Sequence, residues 1–202
     1  MRAALLAVLC LGCTAVEPAA APLEEAPTLV ALGDQGPGVG DARPHLRVAF
    51  RAADGSTTPV DLEASALVPR WRDGAALIDP EGRLYQVWPD GRRRMLAPRA
   101  TALGTDGERL VFAVERDLGV ELRVHDGTEA QTLAEGLSSA AMLRVDHDRV
   151  RFVGARPGGV AGVWVADASG ARCRTNCDLR TGEPWGDRFV PPPSDPSQLE
   201  AW

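Results

Sequence analysis

Between Leu46 and Leu179 the chain consists of short apolar runs separated by turn residues. The breaks are Asp54-Gly55, Asp73-Gly74, Asp79 to Gly82, Pro89-Asp90-Gly91, Asp106-Gly107, Asp126-Gly127, Pro157-Gly158-Gly159 and Ser169-Gly170. Asp and Gly tolerate the positive dihedrals of tight turns, so each break between apolar runs predicts a hairpin. Several flanking segments alternate: Leu46, Val48 and Phe50 against Arg47, Ala49 and Arg51, and Val150 and Phe152 against Arg149 and Arg151. That rhythm predicts strands with one covered face. Leu110 to Val114 is continuously apolar, which predicts a strand buried on both faces inside a layered arrangement. The best helical pattern runs from Glu129 to Leu143, where Leu133, Leu137 and Ala141 share one face. Gly136 and the Ser138-Ser139 pair oppose a helix, and strand is the preferred reading there.

The pattern repeats. Asp106, Arg109, Phe112, Leu122, Val124 and Asp126 recur as Asp146, Arg149, Phe152, Val163, Val165 and Asp167, a period of about 40 residues that suits a four-stranded propeller blade. A shorter copy runs through Asp73, Leu77, Tyr85, Val87, Asp90 and Leu96, and Leu46 to Leu62 reads as a partial fourth. The run from Asp106-Gly107 to Leu110-Val111-Phe112, the run from Leu122 to Asp126-Gly127, and Gly162 to Gly170 resemble TolB-like propeller repeats. The resemblance covers roughly Val68 to Leu179; in the third copy Val145-Asp146-His147 stands where a Pro-Asp-Gly turn is usual. It implies a rigid scaffold whose blades act as protein-interaction platforms. The expected fold is all-β, built of repeated antiparallel hairpins in a partial or small propeller-like arrangement of three to four blades, with a β-sandwich as the alternative.

The N-terminus supplies an address. Met1 and Arg2 precede an apolar run from Ala3 to Leu11, too short to span a bilayer and laid out like a secretory signal. It ends in Cys10, Leu11, Gly12 and Cys13, which resembles the lipobox of bacterial lipoproteins, with Cys10 where Leu is usual. That resemblance implies acylation of Cys13 and a membrane anchor; conventional cleavage somewhere beyond Ala15 is the other reading. The expected organisation is signal and lipobox over residues 1–13, an Ala/Pro/Gly-rich tether over 14–44, a β-repeat domain over 45–188, and a Pro-rich tail over 189–202. The expected location is the cell envelope, with the domain facing the periplasm or the exterior.

Composition narrows the partners. The chain has 202 residues, 45% of them apolar and 25% charged, within the ordinary range for a single globular domain. Its net charge of −6 repels phosphate backbones, so no nucleic-acid partner is expected. The cluster Arg92, Arg93 and Arg94 reads as a solvated strand edge.

If Cys10 leaves with the signal and Cys13 is acylated, Cys173 and Cys177 remain as a close pair. In an exported protein a disulfide is the simplest state, with free thiols or a metal or redox centre as the alternatives. No Gly-x-Ser-x-Gly elbow, His-Glu-x-x-His pair or phosphate-cradling loop is present, so no catalytic residue, metal or cofactor is assigned. His125 and His147 read as turn residues, the first exposed at a hairpin. Of Trp71, Tyr85, Trp88, Trp164 and Trp185, most are expected in the core; Trp88 and Trp164 fall out of phase with their apolar neighbours and are the candidate binding rings.

The leading expectation is a lipid-anchored protein-interaction module without catalysis. A carbohydrate- or peptidoglycan-binding module and a hydrolase with carboxylates at a propeller mouth are the alternatives. Radiolabelled palmitate is expected to enter the wild-type protein and not Cys13→Ala, and equal labelling of both would refute the anchor.

Overall fold

A computed structural model describes residues 25–34 and 44–175. The described chain forms fifteen strands in four sheets. The first sheet holds β1 (Thr28–Asp34), β2 (Leu46–Arg51) and β3 (Thr57–Ala64). The second holds β4 (Ala66–Trp71), β5 (Gly74–Ile78), β6 (Leu84–Val87) and β7 (Arg93–Ala97). The third holds β8 (Ala100–Thr105), β9 (Leu110–Arg116), β10 (Gly119–His125) and β11 (Ala130–Leu137). The fourth holds β12 (Ser139–Asp146), β13 (Arg149–Ala155), β14 (Gly162–Asp167) and β15 (Gly170–Cys173).

Every sheet is an antiparallel meander in chain order, and the first strands of successive sheets lie side by side. The all-β, propeller-like expectation is met. The three sequence copies fall on the second, third and fourth sheets, and the partial copy from Leu46 to Leu62 falls on β2 and β3. The segment that carried the helical alternative forms β11 and β12.

Face-to-face stacking accounts for the apolar pattern. Leu110, Phe112 and Val114 of β9 join the cluster shared with Val68, Trp71, Ile78 and Leu84 of the second sheet. Val111 and Ala113, on the other side of the same strand, join Val145, Phe152 and Trp164 of the fourth. All five β9 residues are at most 1% exposed, as expected for a strand between two layers. β5 behaves alike: Ala75 and Leu77 pack with Leu29, Val48 and Phe50 of the first sheet, Ala76 and Ile78 with the third. β13 alternates because one face meets the third sheet through Val150 and Phe152, while Arg149 is exposed and Arg151 pairs with Asp146. The apolar clusters join first to second, second to third and third to fourth sheet; among the described residues none joins the fourth back to the first.

One close approach fixes the third and fourth sheets. A Cβ at Gly104 of β8 would stand 2.5 Å from the carbonyl oxygen of Leu143, so any other residue there would force the strands apart. The tether expectation needs correction at residues 28–34. They form β1, which pairs antiparallel with β2, buries Leu29 and is held by Arg70, whose guanidinium donates to the Ala26 carbonyl and Thr28 Oγ1. The segment lacks a clear two-residue rhythm because Ala31 and Leu32 stay exposed. Arg93 and Arg94 lie exposed on β7, the edge of the second sheet, as expected.

His147 and Arg72 occupy equivalent places, each the first residue of a two-residue turn after a sheet's first strand, with φ of 42° and 54°. A side chain at positive φ costs about 1–2 kcal/mol, against about 0.5–1 kcal/mol of extra chain entropy for Gly. His147→Gly is therefore expected to raise unfolding stability by roughly 0.5–1 kcal/mol in a denaturant titration. Arg72→Gly is expected to lower it, because the Arg72 side chain donates to the Glu108 carbonyl of the neighbouring sheet. A loss of stability in His147→Gly would contradict this account.

Candidate functional site

The turns gather at two ends of the stack. At one end stand the β4–β5, β8–β9 and β10–β11 turns, tied by Arg72 N–H donating to the Gly107 carbonyl and by Arg72 lying against Gly127. At the other stand the β7–β8 and β9–β10 turns, with Glu115 N–H donating to the Arg99 carbonyl. Each end carries a cleft.

The cleft of most interest, about 610 Å³, lies beneath the β9–β10 turn. Its apolar lip is Pro98, Leu118 and Val120, and its rim is Arg99, Glu115, Arg116, Asp117, Glu121 and Glu135. Asp117 and Leu118 form a two-residue turn between the paired Arg116 and Gly119. The Leu118 side chain, 93% exposed, projects from the tip into solvent. Some of the charges around it are paired. Arg99 stands 3.8 Å from Glu115 and 3.6 Å from Asp117, and Arg116 pairs with Glu121 at 3.1 Å. An exposed aliphatic tip inside a polar rim is the arrangement expected of a protein contact. Leu118 was not among the sequence candidates; its signal was a large apolar residue between Asp117 and Gly119, where turn chemistry favours polar residues.

A second cleft of about 570 Å³ runs between the third and fourth sheets at the opposite end, lined by Arg109, Asp126, Glu129, Asp148, Asp167 and Ser169 among others. This is where a carboxylate site would stand, and two of its aspartates, Asp126 and Asp167, serve the turns. Asp126 accepts from Thr128 Oγ1–H and from the Thr128 and Glu129 N–H groups, which holds its carboxyl far below the usual range. Asp167 is lowered by the Ser169 hydroxyl and N–H. Neither can donate a proton near neutrality. Among the described residues no group of three or more His, Cys, Asp or Glu side chains is placed to hold a metal ion.

A third pocket of about 340 Å³ lies between β3 and the β6–β7 turn, lined by Pro59 to Leu62, Val87, Trp88 and Arg92. Trp88 is partly buried, with the Arg92 guanidinium 5.0 Å over its ring. Trp164 is elsewhere, 5% exposed in the core of the fourth sheet. It stacks on Phe152 at 6.2 Å, lies beneath Arg156, and donates from Nε1 to the Gly154 carbonyl at 2.9 Å. The candidate rings therefore share no groove, and Trp164 is a packing residue. Trp71 is fully buried with Nε1–H bonded to the Glu108 carbonyl, and Trp185 lies outside the described residues.

His125 corrects the expectation of an exposed hairpin residue. It is 6% exposed, set edge-on to Trp71 at 5.4 Å and 80°, and its Nδ1 accepts the Gly127 N–H at 2.9 Å. Placement at a strand end beside Asp-Gly concealed that the second sheet covers it. His147 is in the β12–β13 turn as expected.

Fold and clefts define an all-β, propeller-like protein of four stacked meanders. No family model matches the chain, and no curated protein matches it. Among solved structures, a chain of the S. cerevisiae complex of variant Dbp5 with Nup159, variant Gle1, IP6 and ADP is similar at 10% identity, over 65% of this chain and 44% of that one, with a TM-score of 0.45. The match thus spans less than half of that chain.

Cys173 packs against the core of the fourth sheet and is disulfide-bonded; Cys177, its expected partner, and Cys13 lie outside the described residues. Alkylation of the native exported protein is expected to add no label at Cys173 or Cys177 until reductant is present. Labelling of both without reductant would refute the pairing.

Proposed function

We propose that this chain is a lipid-anchored protein of the cell envelope, attached through Cys13, whose β-repeat domain binds another protein and performs no catalysis. The contact is placed at the cleft beneath the β9–β10 turn. The observation that carries the proposal is the 93% exposure of Leu118 at the tip of a tightly paired hairpin. An aliphatic side chain held there gives nothing to the core, whereas a partner covering it would remove apolar surface from water, about 25 cal/mol for each Å². The surrounding Arg99–Asp117 and Arg116–Glu121 pairs set out both signs of charge around it, which favours specificity and register over raw affinity. The resemblance to TolB-like repeats supports the same reading.

The glycan alternative asks for two rings along one groove, and Trp88 and Trp164 stand on different sheets with Trp164 packed inside. The hydrolase alternative asks for a proton donor at a mouth, and two carboxylates of the second cleft, Asp126 and Asp167, are engaged by turn N–H groups.

A photo-crosslinking side chain at position 118 of the full chain, expressed in intact cells, is expected to give a discrete adduct with an envelope protein. The same group at Asp54, in the β2–β3 turn, is expected to give none. Leu118→Asp should abolish co-purification of the adducted protein and change unfolding stability by less than about 0.5 kcal/mol, as for an exposed position. No adduct specific to position 118 would overturn the assignment.

A further inference from the structure

We infer that His125 is a pH-sensitive latch between the second and third sheets, closed while its ring is neutral and released when the ring takes up a proton. Backbone N–H groups only donate, so the 2.9 Å contact from Gly127 requires an unprotonated Nδ1. The bond closes the β10–β11 turn onto the end of its own strand. The ring also abuts Trp71, the last residue of β4, so one side chain holds both the turn and the seam between two sheets.

Three further contacts run through the same point. Trp71 Nε1–H and Arg72 Nε–H both donate to the Glu108 carbonyl, at 3.0 and 3.1 Å, and Arg72 N–H donates to the Gly107 carbonyl at 2.9 Å. The Arg72 guanidinium fills the space above Gly127, where a Cβ would stand 2.5 Å from it. Position 127 favours Gly because its φ is 102°, and the Arg72 side chain packs over that turn. The β4–β5, β8–β9 and β10–β11 turns thus meet at one point.

Three of the charges facing His125 oppose its protonation, Arg94 on β7, Arg72 on the β4–β5 turn and Arg123 on β10, and one, the Asp126 carboxylate, favours it. Burial first, and then these arginines, push the imidazole below its ordinary value of 6.5. The folded state therefore binds the proton less readily than the unfolded chain. The latch holds fully above about pH 6.5 and weakens as pH falls from there towards the folded-state value. When the ring protonates, Nδ1 gains a hydrogen, the Gly127 N–H loses its acceptor, and a fourth positive charge enters the arginine cluster. Release moves Asp126 and Glu129, so the second cleft changes shape with pH.

Hydrogen exchange of the full chain, corrected for the intrinsic pH dependence of amide exchange, reads this directly. Between about pH 7.5 and 5, opening at residues 105–109 and 124–130 is expected to increase by up to about tenfold per pH unit below 6.5 in the wild type. His125→Gln keeps a neutral acceptor for Gly127 and is expected to show no such acceleration. Equal acceleration in His125→Gln, or none in the wild type, would overturn the latch. Should that variant not fold, nitrogen NMR of the wild-type imidazole decides: the exchange acceleration must level off where Nδ1 takes up its proton in the folded protein, and acceleration that ignores that midpoint refutes the proposal.

Discussion

Everything in the described domain depends on sheets burying their faces against one another. A single antiparallel meander of four short strands has two faces and too little apolar surface to stand alone. Stacking gives β5 and β9 a neighbour on each side, and their residues divide alternately between two apolar clusters. Alternate side chains of a strand point in opposite directions, so a sheet with layers on both sides is apolar at every position of its inner strands. The strands of the end sheets obey the other half of the rule. β13 shows arginines on its uncovered side, and β2 shows Arg47 and Arg51. The contrast between continuous and alternating runs is thus a record of position in the stack.

The same geometry separates the chemistry of the two ends. Where the Asp-Gly turns cluster, carboxylates are consumed as acceptors for their own backbone N–H groups, which gives firm loops and few free reactive groups. At the opposite end the β9–β10 turn is a two-residue link without an Asp-Gly pair, and it carries Leu118 outward. The first end suits a fixed seam, with Arg72, His125 and Gly127 interlocked across two sheets. The second presents a surface available to a partner. Both follow from antiparallel connection order, which sends alternate turns to alternate ends.

How much of this could be read beforehand varied with the range of the interaction involved. Turns were legible because Asp and Gly act locally, within the residues of the turn itself. The inner position of β9 was legible because five consecutive apolar residues leave no solvent face. β1 was not, since it is specified by pairing with β2 and by Arg70 from another sheet. Trp164 was misplaced on a binding face because the β12–β15 sheet turns that side of the strand towards the third sheet. His125 was misplaced for the same reason: its covering partner, Trp71, is distant along the chain.

By itself the sequence determined the class of fold, the positions of most turns and the repeat, because each is written in local dihedral preference and side-chain alternation. The tertiary structure decided which faces meet, and with them which aromatic rings are packing residues and which histidine is buried. It also decided which aliphatic residue is left most fully in water. Those outcomes depend on the juxtaposition of segments far apart in the chain, and no local pattern of residues specifies which sheet will lie against which.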